Sequence, residues 1–173
     1  ISKAAVANYS IRQLDVGNAY LCSDIEGDVF CSPPEGRGRP GYVMHINKAL
    51  YGLKNSAKAW FDTLSAYLTD LGYSRSNYDE CLWEYKCGNK RLYIIVFVDD
   101  ILCVGDDEYI DDLMTNINKK FKIRDLGEAE SFLGMEIKRN REKRTIKISQ
   151  SKYIINIAKK FGLDKAKPVY TPM

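Results

Sequence analysis

Apolar residues recur at two different periods along this chain, and where one period gives way to the other the elements can be read off. Leu53, Ala57, Trp60, Phe61, Leu64, Leu68 and Leu71 fall three or four residues apart, on one face of a helix, and Gly72 follows where a left-handed terminator belongs. Ile110, Leu113, Met114, Ile117 and Phe121 mark a second helix face, with Asp106 or Asp107 available to cap its start. Ile154, Ile157, Ala158 and Phe161 stripe a short last helix ending at Gly162, and residues 2–8 are weakly helical. Strands are expected over 10–16, 29–31, 42–46, 81–85, 92–98 and 101–104, with a further hairpin made by 132–138 and 145–149 around a charged turn. Residues 35–41, rich in glycine, read as a loop. Only Asp99-Asp100 separates two of the strands, which is hairpin spacing. An order without regular strand-helix alternation predicts an α+β fold, an antiparallel sheet with helices packed on one face, and not a doubly wound parallel sheet.

Composition narrows this picture without naming a function. A chain of 173 residues, 45% of them apolar, is long enough for one well-buried core and a tail. Its net charge of +3 does not announce a nucleic-acid binder. A local basic cluster does stand out: Lys138, Arg139, Arg141, Lys143, Arg144 and Lys147, broken only by Glu142, with Lys159, Lys160, Lys165 and Lys167 further along. It reads either as a solvated hairpin tip or as a surface for phosphates. The five cysteines form no CxxC pair and His45 has no metal-ligand spacing to any of them, so reduced thiols in an intracellular protein are expected. The apolar run at 94–98 falls far short of the roughly 20 residues that span a bilayer, and a soluble chain without a membrane partner is the expectation. Ile1 lies inside a helical pattern and Met173 directly follows the turn-like Tyr170-Thr171-Pro172, so both ends are expected to be cuts and not natural termini.

Candidate chemistry gathers at strand ends. The apolar strand that runs into Asp99 and Asp100 changes polarity abruptly at two adjacent carboxylates. Like charges side by side repel, and a cation between them is one reason to keep both; a comfortable aspartate turn is the other. Asp15 also ends a strand, where it serves either as a third carboxylate at the same rim or as a cap for the next turn. Were the two strands neighbours, three carboxylates would converge, a donor set that suits magnesium. Tyr20, one of twelve tyrosines, either covers the core or contacts a ligand.

The segments LDVGNAYL (14–21), ALYGLKNSAKAW (49–60), FVDD (97–100), SFLGMEI (131–137), ISQSKYIINIAKKFG (148–162) and the closing YTPM follow one another in a familiar order. Over nearly its whole length the chain resembles the reverse transcriptase, an RNA-dependent DNA polymerase, of copia-type retrotransposon Pol polyproteins. The resemblance implies a polymerase palm with a ferredoxin-like core and a remnant of the fingers over 1–128, a primer-grip hairpin over 129–150, and the start of a helical thumb over 151–173. The upstream fingers and a downstream ribonuclease H would lie outside the chain. It implies nucleotidyl transfer from a dNTP to a primer 3′ hydroxyl on RNA and DNA templates. Two Mg2+ ions, replaceable by Mn2+, would be held by the catalytic Asp15, Asp99 and Asp100 and the main-chain carbonyl of Val16, with Asp15 and Asp99 the principal ligands.

By the same resemblance Tyr20 is the sugar gate that excludes a 2′ hydroxyl, and Asn18, Ala19, Tyr51 and Gly52 meet the dNTP. Lys54, Phe97, Val98, Gly134 and Met135 would meet the template-primer. Lys119, Lys120 or Lys122 would supply a general acid for pyrophosphate, with no choice among them. The chain departs from the usual pattern at Asn55, Ala57 and Lys58, where glutamine, proline and arginine are common, which weakens nucleotide or template contacts at most. Expected partners are RNA and DNA template-primers, dNTPs, and the ribonuclease H and integrase parts of the parent polyprotein. Cytoplasmic virus-like particles, and the nucleus for the integrated stage, are the implied locations. Two rivals are a catalytically inactive or domesticated nucleic-acid-binding fragment and a nucleotide cyclase. The cyclase shares the carboxylate logic but does not predict Tyr20, the ALYGLK segment or the primer-grip strand.

Overall fold

Segments with apolar residues at every second position pair antiparallel throughout, so the expected mixture of helices and antiparallel sheets is what the structure shows. The computed structural model describes residues 1–39 and 41–167. In chain order the elements are α1 (Ser2–Ala7), β1 (Ser10–Val16), a 3-10 turn (Ala19–Cys22), β2 (Asp24–Cys31), β3 (Met44–Lys48) and α2 (Ser56–Asp70). There follow β4 (Ser74–Arg75), β5 (Leu82–Cys87), β6 (Lys90–Phe97), β7 (Asp100–Gly105), α3 (Asp107–Ile117) and β8 (Ile123–Glu128). The last elements are β9 (Ser131–Phe132), β10 (Met135–Asn140), β11 (Thr145–Ser149) and α4 (Ser151–Lys160). Two compact units result, one of Tyr9–Glu128 and one in which Ile1–Asn8 joins the residues from Ala129 onward. None of the described helices is long and apolar enough to cross a membrane.

The larger unit is built on a six-stranded sheet in the order β4-β5-β6-β7-β1-β8, every neighbour antiparallel. Alternate residues of its central strands, Leu14, Val16, Leu92, Ile94, Val96, Ile101 and Cys103, bury against Trp60, Leu64 and Leu68 of α2 and Ile110, Leu113 and Ile117 of α3. Each such side chain contributes roughly 1.5–3 kcal/mol by leaving water, so this face holds the unit together. Gly105 ends β7 against β6, where a Cβ would lie 2.5 Å from the Arg91 carbonyl oxygen. A separate hairpin pairs β2 with β3.

Several boundaries differ from the sequence expectation, each for a physical reason. The 29–31 run is the end of an eight-residue strand, and its partner begins at Met44 instead of residue 42. The irregularity between Asp24 and Val29, around the left-handed Gly27, breaks the alternation on which the sequence reading relies. Leu53 lies before α2, which starts at Ser56. The strand expected over 132–138 breaks at Leu133-Gly134, both at positive φ (49° and 76°), so β9 and β10 form a tight hairpin and the sheet has three strands. Asp106 stands at the N-cap of α3 but its side chain makes no capping bond. β8 went unpredicted because Asp, Gly and Glu dominate it.

In the smaller unit Arg139 of β10 donates to the Ala4 carbonyl and to Asn8 Oδ1, which ties α1 to the β11-β10-β9 sheet. α4 forms where its apolar stripe predicts it, yet none of its residues is buried: Tyr153, Ile154, Ile155 and Ile157 are exposed, as is Phe161 just after it. The YTPM segment and Pro40 of the glycine-rich loop lie outside the described residues.

On the helix-facing side of β1, Arg12 bonds Asp111 of α3 at 2.6 Å, the Met114 sulfur at 3.0 Å, and Asp125 of β8. Burial alone would raise the Asp125 carboxyl, but bonds from Arg12 and from the Gly127 N–H outweigh it and leave it below the ordinary value. A carboxyl depressed by folding adds stability that is complete above its unfolded pKa, about 3.9, and is lost as pH falls through the lower folded value. Arg12→Met is therefore expected to flatten the acid limb of stability, measured as a smaller difference between urea midpoints at pH 6 and pH 3.

Candidate active site

The β1–β7 pairing sets Asp15 directly opposite Asp100, and the Val16 N–H donates to the Asp99 carbonyl at 2.8 Å as the last rung of the ladder. The end of one strand and the tip of the neighbouring hairpin thus meet at one rim. Phe97 pairs with Asp100, so the two-residue turn is Val98-Asp99 and not the expected Asp99-Asp100. The turn falls there because two carbonyls are captured: the Trp60 indole N–H bonds Val98 O at 2.7 Å, and Val16 takes that of Asp99. The left-handed residue is Val98, at φ 54°, and neither aspartate has positive φ. Aspartate's tolerance of left-handed backbone therefore does not account for the acidic pair.

Each carboxylate has its own partner. Asp99 Oδ2 accepts a bond from the Tyr51 hydroxyl at 3.1 Å, Asp100 Oδ1 from Gln13 Nε2 at 3.0 Å, and Asp15 Oδ2 pairs with Arg124 at 2.9 Å. The Tyr51 ring lies 4.3 Å from that of Tyr20, tilted by 42°. Burial first, then the Asp99 carboxylate, with Tyr20 and Asp15 adding, push the Tyr51 hydroxyl above its ordinary value. Asp15 and Asp99 act on the same hydroxyl, whereas Asp100 turns toward Gln13, which lies on Asp15's face of β1 two residues back. The rim offers carboxylate oxygens without nitrogen or sulfur ligands, a set suited to magnesium with water or phosphate completing its shell. Among the described residues no three Asp, Glu, Cys or His side chains gather into a metal-holding group, so such completion would be needed.

Beside Asp15 opens a cavity of about 250 Å³ lined by Gly17, Asn18, Lys122, Ile123 and Arg124. This separates the three lysines. Lys119 bonds the Asn116 side chain, Lys120 lies over the Tyr67 ring, and Lys122 lines the cavity. Asn18 sits at φ 54° and begins the 3-10 turn. Ala19 is fully buried in the core, main chain included, so the structure does not present this expected nucleotide contact at the surface. Tyr51 and Gly52, at φ 96°, occupy the loop before α2, and a Cβ on Gly52 would meet open space. Lys54 is exposed in that loop, Phe97 is exposed at the end of β6, and Val98 packs partly on the core. Gly134 and Met135 belong to the smaller unit, at the β9–β10 turn.

Sequence reasoning missed Gln13, Ser56 and Arg124. Gln13 was findable, since period two puts it on Asp15's face of the strand. Arg124 belongs to the unpredicted β8. Ser56, fully buried, both accepts from the Leu50 N–H at 3.0 Å and donates to the Leu50 carbonyl at 2.6 Å, bracing the loop that carries Tyr51.

A carboxylate pair on a strand end and a hairpin tip, with an aromatic pair above and a cationic cavity beside, is a layout for handling phosphates. The family model described as reverse transcriptase (RNA-dependent DNA polymerase) matches residues 1–173, and the chain belongs to that family. Its relatives are retrotransposon Pol polyproteins. The chain is 38% identical over 170 residues to the retrovirus-related Pol polyprotein from transposon RE1 of Arabidopsis thaliana, covering 96% of this chain and 12% of that protein. Against the Pol polyprotein from transposon TNT 1-94 of Nicotiana tabacum it is 35% identical over 178 residues, all of this chain and 13% of that protein. The transposon Ty1-NL2 Gag-Pol polyprotein of Saccharomyces cerevisiae is 33% identical over 152 residues, 83% of this chain and 8% of that protein. The copia-type resemblance read from the motifs is borne out, and the chain spans about an eighth of the two plant relatives.

Ser56→Ala removes a donor and an acceptor from buried main-chain groups. It is expected to cost about 1–3 kcal/mol, measured as a lowered urea midpoint.

Proposed function

We propose that this chain is the palm of a reverse transcriptase that joins dNTPs to a primer on RNA and DNA templates, with Asp15 and Asp99 as its principal metal-binding carboxylates. The observation that carries this reading is the strand pairing that brings Asp15 and the Val98-Asp99 turn to one rim, locked by the 2.8 Å bond from Val16 N–H to Asp99 O. Asp15, Asp99 and the Val16 carbonyl would hold Mg2+, or Mn2+ in its place. Such ions would supply Lewis acidity there, lowering the pKa of the primer 3′ hydroxyl and offsetting charge on the triphosphate. The chain's own groups do the rest. Asp100, held by Gln13 and directly opposite Asp15, sets the field beside the metal ligands. Tyr20, its ring 4.3 Å from that of Tyr51, would floor the sugar pocket and leave no room for a 2′ hydroxyl. Lys122, which lines the cavity beside Asp15 with Arg124, would give a proton to leaving pyrophosphate, and Arg124 would neutralise it. Asn18, Tyr51 and Gly52 border the nucleotide, while Lys54, Phe97, Val98, Gly134 and Met135 meet the template-primer.

The smaller unit favours a nucleic-acid partner by its charge. Lys138 and Lys147 face one another across β10 and β11, an arrangement of like charges that costs stability unless an anion lies between or above them. That feature also fits the second reading, a binding module without catalysis. Ribonuclease H and integrase parts of a parent polyprotein, and cytoplasmic virus-like particles, complete the reading.

Primer extension on an RNA template, by the parent polymerase that carries this segment with its flanking sequence, separates the two. Asp15→Asn and Asp99→Asn are each expected to lower kcat at least about a hundredfold, and Asp100→Asn less. Unchanged extension by both variants, or binding of template-primer indifferent to Mg2+ with no extension at all, would sink the polymerase reading. Tyr20→Ala is expected to raise the incorporation of ribonucleotides relative to deoxynucleotides, read from kcat/KM for each.

A further inference from the structure

We infer that Trp60 is a positioning residue for the active site: its indole N–H holds the Val98 carbonyl and thereby keeps the left-handed turn that presents Asp99. The inference rests on the reading above that Asp99 is a working carboxylate. Its foundation is the geometry of one turn. Val98 has φ 54°, a conformation that β-branched residues rarely adopt because the branch crowds the backbone. Such a residue persists only where its surroundings overdetermine it. Here the two peptide groups that flank Asp99 are each clamped by another element. The one before it, through the Val98 carbonyl, receives the Trp60 N–H at 2.7 Å; the one after it, through the Asp99 carbonyl, receives the Val16 N–H at 2.8 Å. Rotation of either peptide would carry the Asp99 side chain away from Asp15.

Trp60 is more than a core filler. It is 1% exposed, and a phenyl ring could supply apolar contact at this place. What a phenyl ring lacks is the N–H, and a buried indole N–H must find an acceptor. Its acceptor lies outside its own helix, a carbonyl 38 residues away in the turn that carries Asp99. The same ring meets Phe121 edge-on, 5.1 Å between centroids at 82°. Phe121 immediately precedes Lys122, whose carbonyl accepts the Gly17 N–H at 2.8 Å. The indole therefore stands between two walls of the site: the Asp99 turn on one side and, through Phe121, the segment of Lys122 on the other.

The test uses the parent polymerase with Trp60 replaced by benzothienylalanine, which keeps the bicyclic shape and exchanges the N–H for sulfur, beside Trp60→Phe. Both are expected to lower kcat about five- to tenfold, the scale of one lost hydrogen bond at a site that must stay rigid. KM for dNTP should move less than about twofold. Mn2+ affinity, measured by calorimetry without nucleotide or primer, should weaken together with kcat. In a Val98→Gly background, where glycine holds positive φ without a clamp, the benzothienyl exchange should cost much less than it does beside valine. Wild-type kcat and Mn2+ affinity in the benzothienyl protein would overturn the inference. So would equal losses in the valine and glycine backgrounds, which would mean that the indole acts elsewhere. Asp99→Asn with full activity would instead remove the polymerase reading, while the Mn2+ measurement still tests the clamp.

Discussion

The register of β1 against β7 is the constraint on which both the core and the site depend. Successive residues of a strand face opposite sides, so a slip of one position would carry Leu14 and Val16 out of the core and Asp15 into it. Burial of Leu14 opposite Ile101 forbids that slip, and the acids follow. The placement of Asp15 opposite Asp100 therefore needs no dedicated device. It is the polar consequence of an apolar pairing, one residue further along the same two strands.

The two faces of the central sheet use charge in opposite ways. On the helix side Arg12 pairs with Asp111 and Asp125, a network that ties β1, β8 and α3 together. On the other side the carboxylates of Asp15, Asp99 and Asp100 each hold a single partner from a different element, respectively β8, the loop before α2, and β1 itself. Asp125 accepts from both Arg12 and the Gly127 N–H, whereas each carboxylate at the rim accepts from one side chain and keeps lone pairs to spare. A site meant to receive a polyanionic ligand needs that surplus, and Lys122 and Arg124 supply the opposite sign close by.

Much of this was legible in the sequence because the strongest signals are apolar. Ser10–Val16 matches the strand expected there, and α2, α3, β6 and β7 came out within a few residues, since each buries one clean face. Asp15, Asp99 and Tyr20 were identified by their motifs, and the fold brings them to one rim. The misses have a common cause. β8 carries Asp125, Gly127 and Glu128 and hides its strand character behind polar residues, so Arg124 was lost with it. The Val98-Asp99 turn was misplaced by one residue because a valine at positive φ runs against local preference, and only the distant Trp60 and Val16 make it hold. Local rules fail where tertiary bonds override them, and here that happens at the site itself.

Gly105 gives the hairpin a stop at its far end. A strand of six residues separates it from Asp100, about 17 Å at the usual rise, yet the two positions are not independent. Any side chain at 105 would collide with the Arg91 main chain and wedge β7 away from β6. Splayed at its base, the hairpin would act as a lever and tilt its acidic tip out of line with Asp15. The alignment of the carboxylates is thus set partly by a missing methyl group at the opposite edge of the sheet.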